Sequence, residues 1–282
     1  MVTTNPRPTV TESEMDGLRR RACALRQHMV KMARGPGQGY LGQGLAMADV
    51  VAALYFHEMS WDPLDLKAAG RDRFILSTGH YAIVLWAAMA ESGVIPLEEL
   101  STYGADDSRL AMSTVDTTPG VEIISGSLGH GLGQAVGMAL GERLSDSAAR
   151  IFCELSDGEL QEGSTWEAAM AGSHFRLDGL VALVDCNGIQ ADGPIVLGIE
   201  PVADKWQAFG WQVQEIDGND MDAVVSALIH ARTRDGKPHV IVLRTLPGKG
   251  VPSLEQREKS HFIRVDPSEW DTLERELANL EI

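Results

Sequence analysis

The chain has 282 residues, of which 44 % are hydrophobic, and its formal net charge is −16. This length accommodates one large α/β unit, and the strong negative charge argues against nucleic acid or an anionic membrane as a partner. No apolar run approaches the roughly 18–20 residues of a membrane span, and three cysteines (Cys23, Cys153 and Cys186) fit neither a disulfide framework nor a metal motif. We therefore expect a cytoplasmic protein.

The first sixty residues are predicted to contain two helices joined by a glycine-rich loop. Residues 1–11 are polar, contain proline and lack the apolar segment of a secretory signal, so we expect a disordered lead-in before a single domain over 12–282. Apolar residues recur at helical spacing over 12–32 and again over 46–59. The loop between them, residues 34–44, either approaches a ligand closely or is a surface connector.

A short strand that ends in a turn is predicted next, over residues 73–80, and an amphipathic helix follows over 81–92. His80 therefore lies where a strand gives way to a helix N-terminus, which is the usual ligand-binding edge of an α/β sheet. A single histidine is more often structural, but this position favours a functional role.

Four glycines are spaced four residues apart in the next predicted helix and therefore lie on nearly one face: Gly129, Gly133, Gly137 and Gly141. Glycine costs about 1 kcal/mol per helix position relative to alanine, so four glycines on one face require an explanation. We infer that another helix crosses it with the two backbones in contact. That helix belongs either to this chain or to another subunit, and we favour the subunit interface.

Two apolar strands, predicted over 151–155 and 180–184, are each followed by polar side chains. The first leads into Ser-Asp-Gly-Glu-Leu-Gln-Glu-Gly (156–163), and the second into Asp-Cys-Asn (185–187). Neighbouring strands that end in oxygen-bearing side chains make a site for a hard cation and for the phosphates that accompany it. A helix is expected after the first motif, over 164–174.

The remaining pattern completes an α/β fold. Strands are predicted over 211–216 and 239–244, with a helix over 221–232 between them and an acidic amphipathic helix over 267–280 at the end. Strands that alternate with helices of ten or more residues indicate a mostly parallel sheet with helices on both faces.

The strand-end motifs offer ligands that Mg²⁺ prefers. Asp157 supplies a carboxylate, Asn187 supplies a side-chain carbonyl, and a main-chain carbonyl beyond Asn187 could complete the set. Gly158 leaves room for a diphosphate against the backbone, and Ser164 is expected to cap the following helix. The alternative is that Asp157 and Asn187 are only turn residues at strand ends, but their combination is more specific than either alone.

These residues carry a family resemblance. The pattern D-G-E-x-x-E-G-x-x-W-E-A over Asp157–Ala168, with D-x-N at Asp185–Asn187, closely resembles the thiamine diphosphate motif of transketolases. Four further segments resemble the family in the same order along the chain: 73–80, 119–129, 245–251 and 259–261. The length resembles that of the N-terminal subunit of split transketolases. The resemblance implies the thiamine diphosphate-binding α/β fold.

The resemblance also implies cofactors and site residues. It implies thiamine diphosphate with Mg²⁺, the metal ligands being Asp157, Asn187 and the main-chain oxygen of Ile189. The cofactor-binding residues that it implies are His80, Gly126, Ser127, Leu128, Gly158, Glu159, Asn187 and His261. The catalytic residues that it implies are His80, His261, Glu162 and Tyr40, with Glu162 resembling the carboxylate that links paired active sites.

A partner chain is implied as well. In this family the glutamate that activates the cofactor belongs to the second half of the enzyme, which this chain lacks. Thiamine diphosphate supplies the carbanion chemistry, and protein groups position and ionise it. We therefore expect the partner to be a C-terminal-type transketolase subunit. The resulting α₂β₂ assembly is expected to move a two-carbon ketol unit from a ketose phosphate, or a related small molecule, to an acceptor.

Two positions depart from the family pattern. Tyr40 stands where a catalytic histidine is expected, and Met112 or Ser113 stands where a second one is expected. Tyrosine can donate a hydrogen bond, but with a pKa near 10 it is a poor proton shuttle at neutral pH. Three hypotheses follow: a split transketolase, an E1-like variant that passes the unit to a lipoyl or carrier-protein thiol, and a non-catalytic regulatory subunit.

Overall fold

The computed structural model describes residues 10–191 and 193–280, so the lead-in expected over 1–11 lies almost entirely outside the described residues. Five strands form a parallel sheet at the centre of the molecule, in the order β2–β3–β4–β8–β7, and two pairs of short strands lie outside it. The strands are β1 (Gln38–Gly39), β2 (Arg73–Leu76), β3 (Ile151–Ser156), β4 (Leu180–Cys186), β5 (Ile189–Gln190), β6 (Gly193–Pro194), β7 (Gln212–Asp217), β8 (His239–Arg244) and β9 (Ile263–Arg264).

Helices cover both faces of this sheet. They are α1 (Glu12–Arg34), α2 (Leu41–Ala46), α3 (Ala48–Ala53), α4 (Ala82–Glu91), α5 (Gly131–Leu144), α6 (Gly163–His174), α7 (Val202–Ala208), α8 (Met221–His230), α9 (Pro252–Glu255) and α10 (Trp270–Ala278). None of the helices in the described part of the chain is long and apolar enough to cross a membrane.

Alternation along the strands explains the two helical layers. Phe152 and Val181 pack into a core with α1, α3, α4 and α8, whereas Cys153 and Ala182 pack on the opposite face with α5, α6 and α7. Successive strand residues point to opposite faces, so a strand buried on both sides has no polar alternation. Every residue of β3 and β4 is buried accordingly. The predicted parallel sheet with helices on both faces is confirmed.

Three local predictions were wrong. Residues 41–46 form α2 rather than the end of a loop, because Leu41 and Leu45 are buried there. The helix predicted over 46–59 is two elements, α3 and a π-helical turn at Leu54–Glu58. Helix α6 begins at Gly163 with Glu162 as N-cap, so Ser164 is inside the helix and does not cap it.

Gly42 is placed where the backbone of another segment passes very close. A Cβ atom on this glycine would lie 2.1 Å from the carbonyl oxygen of Ser260, the residue before His261. Gly42 O also accepts a hydrogen bond from Gly248 N at 2.8 Å. The absence of a side chain at position 42 therefore fixes where the segment carrying His261 lies.

We expect Gly42→Ala to lower the free energy of unfolding by about 1–3 kcal/mol, since a methyl group must push aside a buried backbone carbonyl. Urea denaturation followed by circular dichroism measures this. Gly17→Ala in α1 is the matched control, because the nearest atom to its added Cβ is 4.0 Å away. Helix propensity predicts a neutral or stabilising effect there, and equal losses in both variants would contradict the close contact at Gly42.

Candidate functional site

The two strand-end motifs meet at the carboxyl edge of the sheet. Ser156 pairs with Asp185 in the register of β3 and β4, and Asp157 N donates to Asp185 O at 2.9 Å. The Asp157 carboxylate accepts hydrogen bonds from Gly158 N at 2.8 Å and from Gly188 N at 2.6 Å. Asp157 therefore joins the end of β3 directly to the turn that contains Asn187.

A buried network orients the amide of Asn187. Its Nδ2 donates to Asp185 Oδ2 at 2.7 Å and to the hydroxyl of Tyr81 at 3.0 Å. The Tyr81 hydroxyl in turn donates to Asp185 Oδ2 at 2.8 Å, and Thr245 donates to the other carboxylate oxygen. With the amide nitrogen committed, Asn187 Oδ1 is directed to the other side, where it accepts from Ile189 N at 3.0 Å.

The electrostatics of this edge favour a cation. Burial, and then the charge of Asp185, raise the pKa of Asp157 to about 7. Burial also raises the pKa of Asp185. Among the described residues no cluster of three or more His, Cys, Asp or Glu side chains forms a metal site. A hard divalent cation bound through one carboxylate, one amide oxygen and main-chain carbonyls is compatible with that finding and would offset the buried negative charge.

A cavity of about 560 Å³ opens over this edge of the sheet. Its lining includes most of the predicted site residues: Tyr40, His80, Gly126, Leu128, Gly158, Glu162, Ile189 and His261. A Cβ atom on Gly158 would meet nothing closer than 3.8 Å, the distance to Gln190 Cβ and Ser156 Oγ. The glycine therefore leaves an open surface just beside Asp157, as a diphosphate would require.

Aromatic rings and histidines form one wall of the cavity. The Tyr40 ring lies 4.9 Å from the His80 ring and 5.6 Å from the His261 ring, and the two histidine rings are 5.1 Å apart. Burial, and then the neighbouring His261, lower the pKa of His80 to about 3, so His80 is neutral at physiological pH. Gln43, which is fully buried, places its amide nitrogen 2.5 Å from His261 Nδ1.

Three predicted cofactor-binding residues, Ser127, Glu159 and Asn187, do not line the cavity, and neither does the predicted metal ligand Asp157. The Glu159 carboxylate is buried, where it accepts hydrogen bonds from Gly129 N at 2.7 Å and from the hydroxyl of Ser77. It holds the loop before α5 against the end of β2, so the side chain faces away from the cavity, and a role of Glu159 in binding the cofactor stays a prediction. Ser127 is exposed between Gly126 and Leu128, both of which line the cavity.

The segment that replaces the second expected histidine also lines the cavity, through Met112 and Ser113. This segment is held in place on both sides. The Trp86 indole donates to Ala111 O at 2.8 Å, and the Ser113 hydroxyl donates to the main-chain oxygen of Ser125 at 3.2 Å. Met112 is thus part of a fixed wall.

Sequence reasoning missed Tyr81, Gln43 and the role of Asp185 as the centre of a hydrogen-bond network. Tyr81 follows His80 directly but falls on a stretch with no motif, so only its position beside Asp185 reveals its role. Gln43 lies in the segment predicted as a loop. A helical prediction for residues 41–46 would have placed its side chain inside the molecule.

Comparison with known proteins establishes the family. The family model described as "Transketolase, thiamine diphosphate binding domain" matches residues 19–278. The chain belongs to the transketolase family and is its thiamine diphosphate-binding part. It is accordingly a transferase of the transketolase type.

Similar proteins include both short chains and whole transketolases. The chain is 54 % identical over 254 residues to an uncharacterised transketolase family protein, y4mO, of Sinorhizobium fredii, covering 89 % of this chain and 91 % of that one. It is 38 % identical to the 6-deoxy-6-sulfo-D-fructose transketolase subunit SqwG of Clostridium sp., covering 95 % and 98 %. It is 40 % identical to an apulose-4-phosphate transketolase subunit of Actinobacillus succinogenes, covering 87 % and 90 %.

Solved transketolase structures share the fold over a longer chain. The transketolase of Campylobacter jejuni superposes with a TM-score of 0.84 at 29 % identity, covering 94 % of this chain and 43 % of that one. The chain therefore spans less than half the length of that transketolase and nearly the whole length of the named subunits. The predicted thiamine diphosphate-binding α/β fold is confirmed.

Proposed function

We propose that this chain is the thiamine diphosphate- and Mg²⁺-binding subunit of a split transketolase. It transfers a two-carbon ketol unit from a ketose or ketose phosphate to an acceptor, together with a second chain. The observation that carries this proposal is the junction of Asp157 with the turn that contains Asn187, at adjacent strand ends, beside a cavity that has open space at Gly158.

The proposed roles of the residues follow from their positions. Asp157, Asn187 and the main-chain oxygen of Ile189 would hold Mg²⁺, with the diphosphate against Gly158. His80 and His261 would face the reacting end, where His80 stays neutral and can donate one hydrogen bond and accept one. When bound, thiamine diphosphate supplies the carbanion chemistry of the reaction.

The aminopyrimidine end of the cofactor would lie against the loop before α5. Gly126 and Leu128 line the cavity there, and Ser127 lies between them. Gly126 has a φ of +148°, a value that favours glycine. The main-chain conformation of this loop therefore depends on glycine at position 126. Glu162, at the N-cap of α6, would be the carboxylate that links paired active sites.

A partner chain is supported by the relatives and by an unoccupied helix face. Two relatives are named as transketolase subunits. Gly133, Gly137 and Gly141 of α5 have nothing within 4 Å of an added Cβ among the described residues. Gly129, the fourth glycine of the predicted face, precedes α5 and lies against Ser164 and Glu162 of this chain, so the prediction of one four-glycine helix face was wrong there. The open part of the face, at Gly133, Gly137 and Gly141, supports the proposed subunit interface.

We expect the purified chain to show little or no ketol transfer alone and full transfer when mixed with its C-terminal-type transketolase partner chain. The physical reason is that this chain would provide the diphosphate anchor, whereas the group that activates the cofactor would come from the second chain. Product formation from a ketose phosphate donor and an aldose phosphate acceptor, detected by mass spectrometry, measures this. Full activity of the chain alone would rule out the split arrangement.

A second candidate acceptor is a lipoyl or acyl-carrier-protein thiol. Tyr40 and Met112 in the cavity wall favour it, because neither residue shuttles protons as readily as the histidines of the sugar-specific pattern. The same mixture with a carrier protein as acceptor distinguishes the two by the mass of the product. The proposed donor set at Asp157 and Asn187 argues against a purely regulatory subunit, because such a subunit would not need residues that bind the metal and the cofactor.

A further inference from the structure

A glutamine side chain is enclosed behind the histidine wall of the cavity. Gln43 lies on α2, is fully buried, and places its amide nitrogen 2.5 Å from Nδ1 of His261. Every residue of α2 is buried, so the amide is surrounded by protein. The main-chain oxygen of Gln43 accepts a hydrogen bond from Met47 N at 3.0 Å. The contact with His261 is therefore made by the side chain of a residue whose backbone is fixed.

The residues that precede the two partners are themselves in contact. The backbone of Gly42 passes so close to Ser260 that an added Cβ atom would lie 2.1 Å from the carbonyl oxygen of Ser260. Ser260 is buried as well. The side chains of Gln43 and His261 therefore start from backbones that are held against each other, and the hydrogen bond between them costs little further conformational entropy.

The chemistry of an amide and an imidazole decides which nitrogen of His261 carries the proton. An amide nitrogen only donates hydrogen bonds, and a neutral imidazole has one nitrogen that donates and one that accepts. Because Gln43 Nε2 donates to Nδ1, Nδ1 is the unprotonated nitrogen and the proton is on Nε2. An imidazolium ion has protons on both nitrogens and cannot accept this bond. The reverse orientation of the amide, with Oε1 toward the ring, would select the opposite tautomer.

Stability alone does not explain a glutamine at this position. Gln43 Oε1 is buried and has no hydrogen-bond partner in the part of the chain that the structure describes. A buried polar atom without a partner destabilises the folded protein, and an apolar side chain of similar length, such as that of methionine, would avoid this cost. The hydrogen bond to His261 is what methionine could not supply.

The ring of His261 connects this buried amide to the cavity. His261 lines the cavity beside the rings of His80 and Tyr40, whose centroids are 5.1 Å and 5.6 Å away. Gln43 lies outside the lining, so Nδ1 faces the protein interior. A ring with its proton on Nε2 is a hydrogen-bond donor on its other side, whereas the opposite tautomer would be an acceptor and a base there.

We propose that Gln43 is a positioning residue that fixes the neutral tautomer of His261 with its proton on Nε2, so that His261 acts in the cavity as a hydrogen-bond donor. The acceptor is an oxygen atom of the molecule in the cavity. That oxygen belongs either to the diphosphate of the cofactor or to the reacting carbon of the substrate. The inference rests on the proposed function only in the identity of this molecule.

The first test measures the tautomer on the full chain without cofactor. Nitrogen-15 NMR of protein labelled at its eight histidines distinguishes a protonated ring nitrogen from an unprotonated one, and the signals missing in His261→Gln assign this ring. We expect Nδ1 of His261 to be unprotonated and Nε2 to be protonated near pH 7. A proton on Nδ1, whether in the opposite tautomer or in the imidazolium ion, would overturn the proposal.

Two variants test whether Gln43 is the cause. Gln43→Glu replaces the donor with a carboxylate, which only accepts, so we expect Nδ1 to become protonated. Gln43→Met removes the hydrogen bond, and we expect both tautomers to be populated. Gln207→Glu, at an exposed position on α7, is the matched control and should leave the His261 signals unchanged.

Circular dichroism verifies the fold of each variant. Signals of His261 that stay as in the wild type in either folded Gln43 variant would overturn the proposal. The spectrum of the wild type decides the tautomer even if the buried carboxylate of Gln43→Glu prevents folding.

The second test uses the complex with the partner chain and identifies the acceptor oxygen. If the oxygen is on the reacting carbon, we expect Gln43→Met to lower kcat and kcat/KM each about tenfold, with the affinity for thiamine diphosphate unchanged. If the oxygen belongs to the diphosphate, we expect the affinity for thiamine diphosphate to fall about tenfold instead. No change in either quantity would overturn the assignment of Gln43 as a positioning residue.

The two proposals fail separately. An inactive complex in which the tautomer of His261 still depends on Gln43 would contradict the proposed function and leave the role of Gln43 intact. An active complex in which the His261 ring is insensitive to Gln43 would do the reverse.

Discussion

Replacing Asp157 with alanine is expected to lower the affinity for thiamine diphosphate in the presence of Mg²⁺ by a factor of 100 or more, about 2.7 kcal/mol. Asp157 is the single carboxylate in the proposed donor set, and its removal leaves one amide oxygen and main-chain carbonyls to hold a divalent ion. The measurement is isothermal titration of the complex with thiamine diphosphate at fixed Mg²⁺, alongside the quenching of intrinsic fluorescence.

Asp204→Ala is the control for this variant, because Asp204 is an exposed carboxylate on α7 that lies outside the cavity. It should bind the cofactor as the wild type does. Circular dichroism would verify that both variants keep the fold. Unchanged cofactor affinity in a folded Asp157→Ala protein would refute the proposed metal site.

The second large effect is expected for Gly158→Val, which should reduce thiamine diphosphate affinity about 100-fold while leaving the fold intact. The nearest atoms to an added Cβ at this position are 3.8 Å away, so the free protein has room for the side chain. The diphosphate would lie in this same space, and the branched side chain of valine would fill it. Cofactor titration and thermal unfolding without cofactor separate the two effects.

Gly198→Val is the matched control for Gly158→Val. Nothing lies within 4 Å of its added Cβ, and it is outside the cavity. We expect the melting temperatures of both variants without cofactor to stay close to that of the wild type. A large drop for Gly158→Val alone would show that the space has a structural role rather than a ligand-binding one.

The sheet and the proposed metal edge could be predicted from the sequence because both depend on local patterns. Continuous apolar runs over 151–155 and 180–184 predict strands buried on both faces, and the ends of parallel strands meet at one edge. The order of the motifs then placed Asp157 beside Asn187. The structure confirms the strands and brings these two segments together through Gly188 N.

The polar network around that edge could not be predicted, because it depends on side-chain directions that no local pattern reports. Glu159 belongs to the motif but turns away from the cavity toward Ser77 and Gly129. Tyr81 is adjacent to His80 in sequence, yet its ring enters the core and reaches Asp185. Such directions are set by tertiary packing.

The glycine-rich segment shows a second reason for failure. Its many glycines permit backbone turns, so the sequence predicts a loop over residues 34–44; glycine also disfavours a helix by about 1 kcal/mol per position. In the structure, Gly42 lies against Ser260 and Gly44 lies against Ile83, at distances that leave no room for a Cβ atom. Glycine at these two positions therefore lets α2 pack closely against both residues. The packing gained by this close approach outweighs the low helix propensity of glycine. It cannot be predicted from the sequence, because it depends on which residues lie next to α2.

The pairing of β1 with β9 places part of the cavity wall away from the proposed metal ligands, both in space and in sequence. The proposed metal ligands lie at the ends of β3 and β4, deep in the central sheet, whereas the ribbon that carries Tyr40, Phe262 and Arg264 is a peripheral pair of two-residue strands. Tyr40 of that ribbon lines the cavity, whereas the residues that bond to Asp185 (Tyr81, Asn187 and Thr245) lie outside the ribbon. Relatives of this chain could therefore evolve different substrate preferences through a few substitutions on this peripheral ribbon. Such substitutions would leave the proposed cofactor-binding residues of the central sheet unchanged.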